Sequence, residues 1–235
     1  MSPVDPTACI AANWQRLQER VSMAAVAAGR DPGEIEVIAV TKTRSPQEVS
    51  AVIAAGALHV GENRLQEAAA KRPEVSALAR WHFIGHLQSN KAKGAAELFD
   101  LIQSVDNERL AASLNRRAAE LNMVMEVLVQ VNTAGTSSQS GVAAERLIPL
   151  MEQLPSFANL RTRGLMTIAE NTADEVRLRE CFRTLRELAE SVDAAGFDGV
   201  EMRHLSMGMS NDFELAVAEG ATMLRVGTAI FGPRN

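Results

Sequence analysis

From about Ile10 to Ala28 apolar residues recur at helical spacing, and Gly29 ends the run. Beyond it the chain alternates short apolar runs with longer amphipathic ones, eight times over. The short runs are EVIAVT (36–41), LHVGE (58–62), WHFIGH (81–86), DLIQSV (100–105), MEVLVQV (125–131), LRTRGLMT (160–167), GVEMRHLS (199–206) and TMLRVG (222–227). Each is strand-sized and followed by a helix-sized segment, and several of those segments open on start signals: Ser45-Pro46, Asp106 and Asn211-Asp212. Parallel strands joined by crossover helices close most simply into a barrel, with an open doubly wound sheet as the alternative. The expected fold is α/β, a single (β/α)8 TIM barrel over about 35–232 with an additional N-terminal helix over about 10–28. The 235 residues, with no Pro/Ser-rich linker, form one domain, near the roughly 250 residues usual for this architecture.

Composition narrows the chemistry. The only aromatic rings are seven Phe and two Trp; there is no Tyr, which argues against base-stacking surfaces and removes phenolic acids and bases. Net charge is −5, and the arginines are interleaved with acids, as in RLRECFRTLRELAE (177–190), a solvated helix face rather than a nucleic-acid surface. Cys9 and Cys181 form no CxxC pair, the usage of a reducing compartment. The N-terminus carries no export signal and no segment is apolar enough to span a bilayer, so a cytoplasmic protein with no membrane partner is expected.

In a β/α barrel the chemistry gathers at the C-terminal strand ends. Lys42 ends the first strand, one of four lysines against twenty arginines. Burial at a barrel mouth favours a neutral amine, which can condense with a carbonyl; the alternative is a lysine paired with a carboxylate such as Glu62. The seventh strand runs into Ser206-Met207-Gly208-Met209-Ser210 and the eighth into Gly227-Thr228, two small-residue loops whose backbone N–H groups suit a phosphate. Arg225, two residues before Gly227, points to the same sheet face and could reach a ligand's ring or phosphate or close a core ion pair. His82 and His86 would share one face of an extended strand, yet no third ligand follows at zinc spacing, and no metal is expected. Met202, Met207 and Met209, like Trp81 and Phe83, read as packing.

The segments VIAVTKTR (37–44), GENRLQE (61–67), WHFIGHLQSNK (81–91), GLMTI (164–168) and LSMGMSNDFELAVAEGATMLRVGTAIFG (205–232) together resemble the pyridoxal phosphate homeostasis proteins, single-domain relatives of the N-terminal barrel of alanine racemase. The resemblance implies pyridoxal 5′-phosphate (PLP) carried as a Schiff base on Lys42. It also implies that Asn63 lies beside the cofactor, and that Ser206, Arg225, Gly227 and Thr228 receive its phosphate and contact its ring. Two positions depart from the family: Gln139 stands where a lysine is frequent, which removes support for a secondary cofactor site, and Arg64 replaces a frequent tyrosine. Alanine racemase needs a tyrosine brought by a second domain and a partner subunit; this sequence has no tyrosine, and no second domain is expected after the barrel. The expectation is a PLP-binding protein, a monomer without robust catalysis, that buffers the cofactor or delivers it to apo-enzymes. The alternatives are a PLP-dependent enzyme acting on amino acids, and an aldolase-like barrel using Lys42 on a sugar phosphate without cofactor.

Overall fold

The computed structural model describes residues 6–75, 79–135 and 140–233; Gln139 lies outside them. The strands are β1 (Glu36–Val40), β2 (His59–Glu62), β3 (Arg80–Phe83), β4 (Leu101–Val105), β5 (Met125–Asn132), β6 (Val142–Ala143), β7 (Leu160–Met166), β8 (Val200–Ser206) and β9 (Met223–Val226). All pairings are parallel, in the order β4-β3-β2-β1-β9-β8-β7-β5-β6, and β4 also pairs with β5. That last pairing closes the ring, so the nine strands form a barrel of eight, with two-residue β6 outside it. The closed barrel settles the choice against an open sheet.

The helices are α1 (Pro6–Ala27), α2 (Pro46–Ala54), α3 (Leu65–Lys71), α4 (Ala92–Leu98), α5 (Glu108–Glu120), α6 (Leu147–Met151), α7 (Glu175–Ala195), α8 (Phe213–Ala218) and α9 (Thr228–Phe231). α2 begins as its sequence predicts: Ser45 caps it, with Glu48 Oε2 accepting from the Ser45 N–H at 2.8 Å. The start signal at Asp106 is displaced by one residue, because Asn107 rather than Asp106 accepts the Leu110 N–H. In α1 Ile10, Trp14, Leu17, Val21 and Ala25 form one buried stripe, and Asn13 donates to the Ile230 carbonyl at 2.8 Å, tying this extra helix to the barrel's last turn.

Alternation along each strand separates two cores. Val37, Ala39, Val60, Trp81 and Phe83 face outward into the layer beneath the helices, whereas Ile38, Leu101, Leu128, Met166 and Met223 pack together inside the ring. Below that plug the closed end is filled by ion pairs: Arg80–Glu126 at 2.6 Å, Arg163–Glu126 at 2.7 Å and Arg163–Glu201 at 2.5 Å. Strand spacing demands a glycine at one point in the wall, since a Cβ on Gly164 would stand 1.9 Å from the His204 carbonyl oxygen on β8.

The expected third strand, 81–86, stops at Phe83. His82 therefore points into the barrel, fully buried, while half-exposed His86 lies in the following loop facing Asp106 at 3.8 Å. The two do not share a strand face, and no group of three metal-ligating side chains occurs among the described residues. Among those residues, no helix is long and apolar enough to cross a membrane.

Candidate functional site

The C-terminal strand ends surround a cavity of about 640 Å³, within the roughly 300–1,000 Å³ usual for small-molecule sites. Lys42, Asn63, Arg225, Gly227 and Thr228 all line it. Apart from Thr228, which opens α9, these residues continue the inward-facing parity of their strands: Val40 pairs with Gly61, so Lys42 and Asn63 emerge two residues later on the same face.

The Lys42 segment is gripped from outside the ring. Thr41 points outward and donates its hydroxyl to Glu62 Oε1 at 2.7 Å, and Lys71 Nζ reaches both that oxygen and the Thr41 carbonyl at 2.7 Å. On the other flank the Thr43 N–H donates to Glu67 Oε2 at 2.8 Å. Thr43 itself sits at φ 64°, a left-handed conformation that β-branched residues rarely adopt and that these flanking bonds hold in place. Glu62 is fully buried with Oε2 unpartnered, and burial pushes its carboxyl above the usual range despite the bonds from Lys71 and Thr41. Glu67 is held below that range, chiefly by the Thr43 N–H. The expected alternative of a Lys42–Glu62 pair is thus corrected, because Glu62 sits on the opposite side of the wall and Lys71 is its partner.

Arg225 lies 5% exposed at the cavity floor. Its guanidinium donates to Ser206 Oγ at 2.7 Å and to the Thr167 carbonyl at 2.6 Å, and among the described residues no carboxylate is bonded to it. Burial lowers its pKa to about 10, with Asp212 pulling the other way. At neutral pH this is a buried positive charge satisfied only by neutral oxygens, so an anion in the cavity would gain strongly from it. Among the described residues, the core ion pair considered for Arg225 does not form.

Ser206, expected to meet a phosphate, is fully buried beneath the floor and outside the cavity lining, donating to Gln103 Oε1 at 2.7 Å. The polar loop atoms nearer the cavity belong to Ser210, Asn211 and Thr228. Ser210 Oγ accepts the Ala229 N–H at 3.3 Å, and Asp212 accepts the Met209 N–H, so the loops after β8 and β9 are bonded into one rim. The short α8 begins on Asp212, whose own carboxylate offsets the positive potential expected there.

Asn63 Oδ1 is buried, lines the cavity and has no hydrogen-bond partner among the described residues, which suits it to a donor from a ligand. Its backbone is set by Gly85, where a Cβ would lie 2.4 Å from the Asn63 carbonyl oxygen and 2.8 Å from its Cα. Gly85→Ala is expected to destabilise the protein by about 1–3 kcal/mol and to push Asn63 out of register. Urea denaturation measures the first effect and ligand titration the second.

A lysine at a strand end, a buried arginine to which no carboxylate among the described residues is bonded and an orphaned amide oxygen around one barrel mouth define a β/α barrel suited to an anion, with a primary amine in reach. Residues 7–235 match the family model described as alanine racemase, N-terminal domain. The chain is 43% identical to the pyridoxal phosphate homeostasis protein of Pseudomonas aeruginosa over 227 residues, 96% of each chain. It is 39% identical to that of Escherichia coli over 236 residues, covering 96% of this chain and 97% of the other. PipY of Synechococcus elongatus, solved with PLP bound, superimposes with a TM-score of 0.80 at 37% identity, covering 90% of this chain and 100% of PipY. Alanine racemase from Corynebacterium glutamicum shares the fold, with a TM-score of 0.76 at 16% identity. The chain belongs to the pyridoxal phosphate homeostasis protein family.

Proposed function

We propose that the chain binds PLP at the barrel mouth and serves to buffer it or deliver it to apo-enzymes in the cytoplasm, as one barrel domain and a monomer. The observation that carries the reading is Arg225, a buried cation to which no carboxylate among the described residues is bonded, facing the same cavity as Lys42. PLP supplies an aldehyde that condenses with an unprotonated amine, losing water, and Lys42 Nζ is the amine this mouth offers. Arg225 supplies the countercharge for an anionic ligand, the Gly227–Thr228 turn its backbone groups, and Asn63 Oδ1 an acceptor. Ser206 acts one step back, as a support for Arg225.

The presence of PLP homeostasis proteins among the relatives favours a carrier over an enzyme. The absence of tyrosine agrees, since a phenolic base of the alanine racemase kind has no source in the sequence. Adding PLP to purified protein is expected to produce a visible absorption band that borohydride bleaches while fixing the cofactor to the Lys42 peptide. Protein that gains no band and leaves Lys42 unlabelled would refute the reading. Loss of an amino acid's α-proton in deuterated water, abolished by Lys42→Ala, would favour the enzyme instead.

A further inference from the structure

We infer that Gln103, His82 and His59 are positioning residues for Arg225, forming with Ser206 a hydrogen-bond chain of fixed sense that runs down the barrel axis and ends at His59. The contacts are continuous: Arg225 Nη1 to Ser206 Oγ at 2.7 Å, Ser206 Oγ to Gln103 Oε1 at 2.7 Å, Gln103 Nε2 to His82 Nδ1 at 2.9 Å, and His82 Nε2 to His59 Nδ1 at 2.9 Å. His59 Nε2 then faces Glu36 Oε2 at 3.8 Å. His82, Gln103 and Ser206 are fully buried.

The Arg225 end sets the direction, and the Glu36 carboxylate, 3.8 Å beyond the chain and not hydrogen-bonded to it, favours the same one. A guanidinium only donates, so Ser206 Oγ accepts from it, and the serine hydroxyl in turn donates to Gln103, whose carbonyl oxygen faces it. The amide nitrogen then faces His82 Nδ1, which accepts, placing the imidazole hydrogen on Nε2. That nitrogen donates to His59 Nδ1, leaving the His59 hydrogen on Nε2, toward the Glu36 carboxylate. The reverse sense would turn a bare imidazole nitrogen toward that carboxylate. Both rings are neutral in this arrangement. Burial, reinforced by His59, Arg80 and His204, pushes His82 well below its usual pKa, and burial lowers His59 against the pull of Glu36. Every link presents the negative end of its dipole toward Arg225, so the guanidinium is held by neutral acceptors and its charge is left for the cavity.

That this charge serves PLP rests on the proposed function; the sense of the chain does not. Long-range proton–nitrogen spectra of cofactor-free, full-length protein are expected to show neutral His59 and His82, each with its hydrogen on Nε2. Gln103→Glu, which offers only acceptors, should move the His82 hydrogen to Nδ1. A wild-type His82 carrying it on Nδ1 would overturn the chain. In PLP titrations Gln103→Glu is expected to bind about tenfold more weakly than Gln103→Met, because a carboxylate then sits one hydroxyl away from Arg225. The same carboxylate should raise the pH midpoint of the bound cofactor's visible band relative to Gln103→Met. Coincident affinities and midpoints would overturn the positioning role, however much either variant loses in stability. If Gln103→Glu does not fold, Ser206→Ala substitutes for it: about tenfold weaker PLP binding is expected with the His82 hydrogen still on Nε2, and wild-type affinity would overturn the role. A wild-type protein that takes up no PLP would refute the proposed function, and the tautomers would then decide the chain alone.

Discussion

Lys42→Ala protein, supplied with PLP and reduced with borohydride, is expected to carry no covalent cofactor while keeping its helical far-ultraviolet signal and a Tm within about 2–4 °C of wild type. The expectation follows from where Lys42 sits. It lines the mouth cavity above the packed interior, and the buried pairing that grips its segment is made by Thr41, Glu62 and Lys71, all of which the substitution leaves in place. The other lysines cannot substitute: Lys71 is buried on the outer side of the wall, and neither Lys91 nor Lys93 lines the cavity. Mass spectrometry of the reduced protein and its peptides reads the result. An adduct persisting at full stoichiometry would show that another amine holds the cofactor, and a large loss of helical signal would show that Lys42 is structural.

Lys71→Met is expected to have the largest effect on stability, a loss of about 3–5 kcal/mol, because it strands the Glu62 carboxylate in the layer between β2 and α3. The pH dependence identifies the cause. Burial already holds Glu62 above its ordinary value, and without the Lys71 bond its folded-state pKa rises further while the unfolded value stays put. The folded variant then binds the proton more tightly than the unfolded chain. Its deficit is therefore complete above the raised pKa and shrinks as pH falls through it toward the ordinary carboxylate range. Urea midpoints for both proteins at pH 8 and pH 5 test this, with a smaller difference expected at pH 5; equal differences would assign the loss to packing. Since Lys71 also bonds the Thr41 carbonyl, the variant should hold PLP less tightly wherever it remains folded.

The fold was legible because each barrel strand is a short apolar run ended by polar residues, as in EVIAVT and LHVGE, and because long crossovers between parallel strands leave few architectures. Strand ends were less so: IGH reads as strand beside WHF, but the register with β2 ends at Phe83 and the last backbone bond to it comes from the Ile84 N–H, which put His86 on the wrong element. Lys42, Asn63, Arg225 and Gly227 were found together at the mouth because parity and the strand-end rule predict it, and Thr228 because it follows at the strand end, whereas Ser206 has inward parity and still lies below the floor. Depth along the barrel axis depends on strand stagger, which period-two alternation does not encode. The Glu62–Lys71 pair was missed for a related reason: it joins the outward face of a strand to the end of the next helix, nine residues on, and no local pattern specifies that meeting. Gln103 and Ser104 within DLIQSV were the available clue, since two polar residues inside a buried strand imply a polar interior.

The two ends of the barrel treat their arginines differently, and this bears on how an anionic ligand arrives. At the closed end Arg80 and Arg163 are paired with Glu126 and Glu201, while at the open end no carboxylate among the described residues bonds Arg225, and Asp212 acts on it only from a distance. The chain as a whole carries −5. A dianion approaching through physiological salt therefore feels no long-range attraction, and the pull of Arg225 begins only within a screening length of about 8 Å. Capture should accordingly be slow for a charged small molecule and only weakly dependent on ionic strength, with retention set by departure from the mouth rather than by encounter.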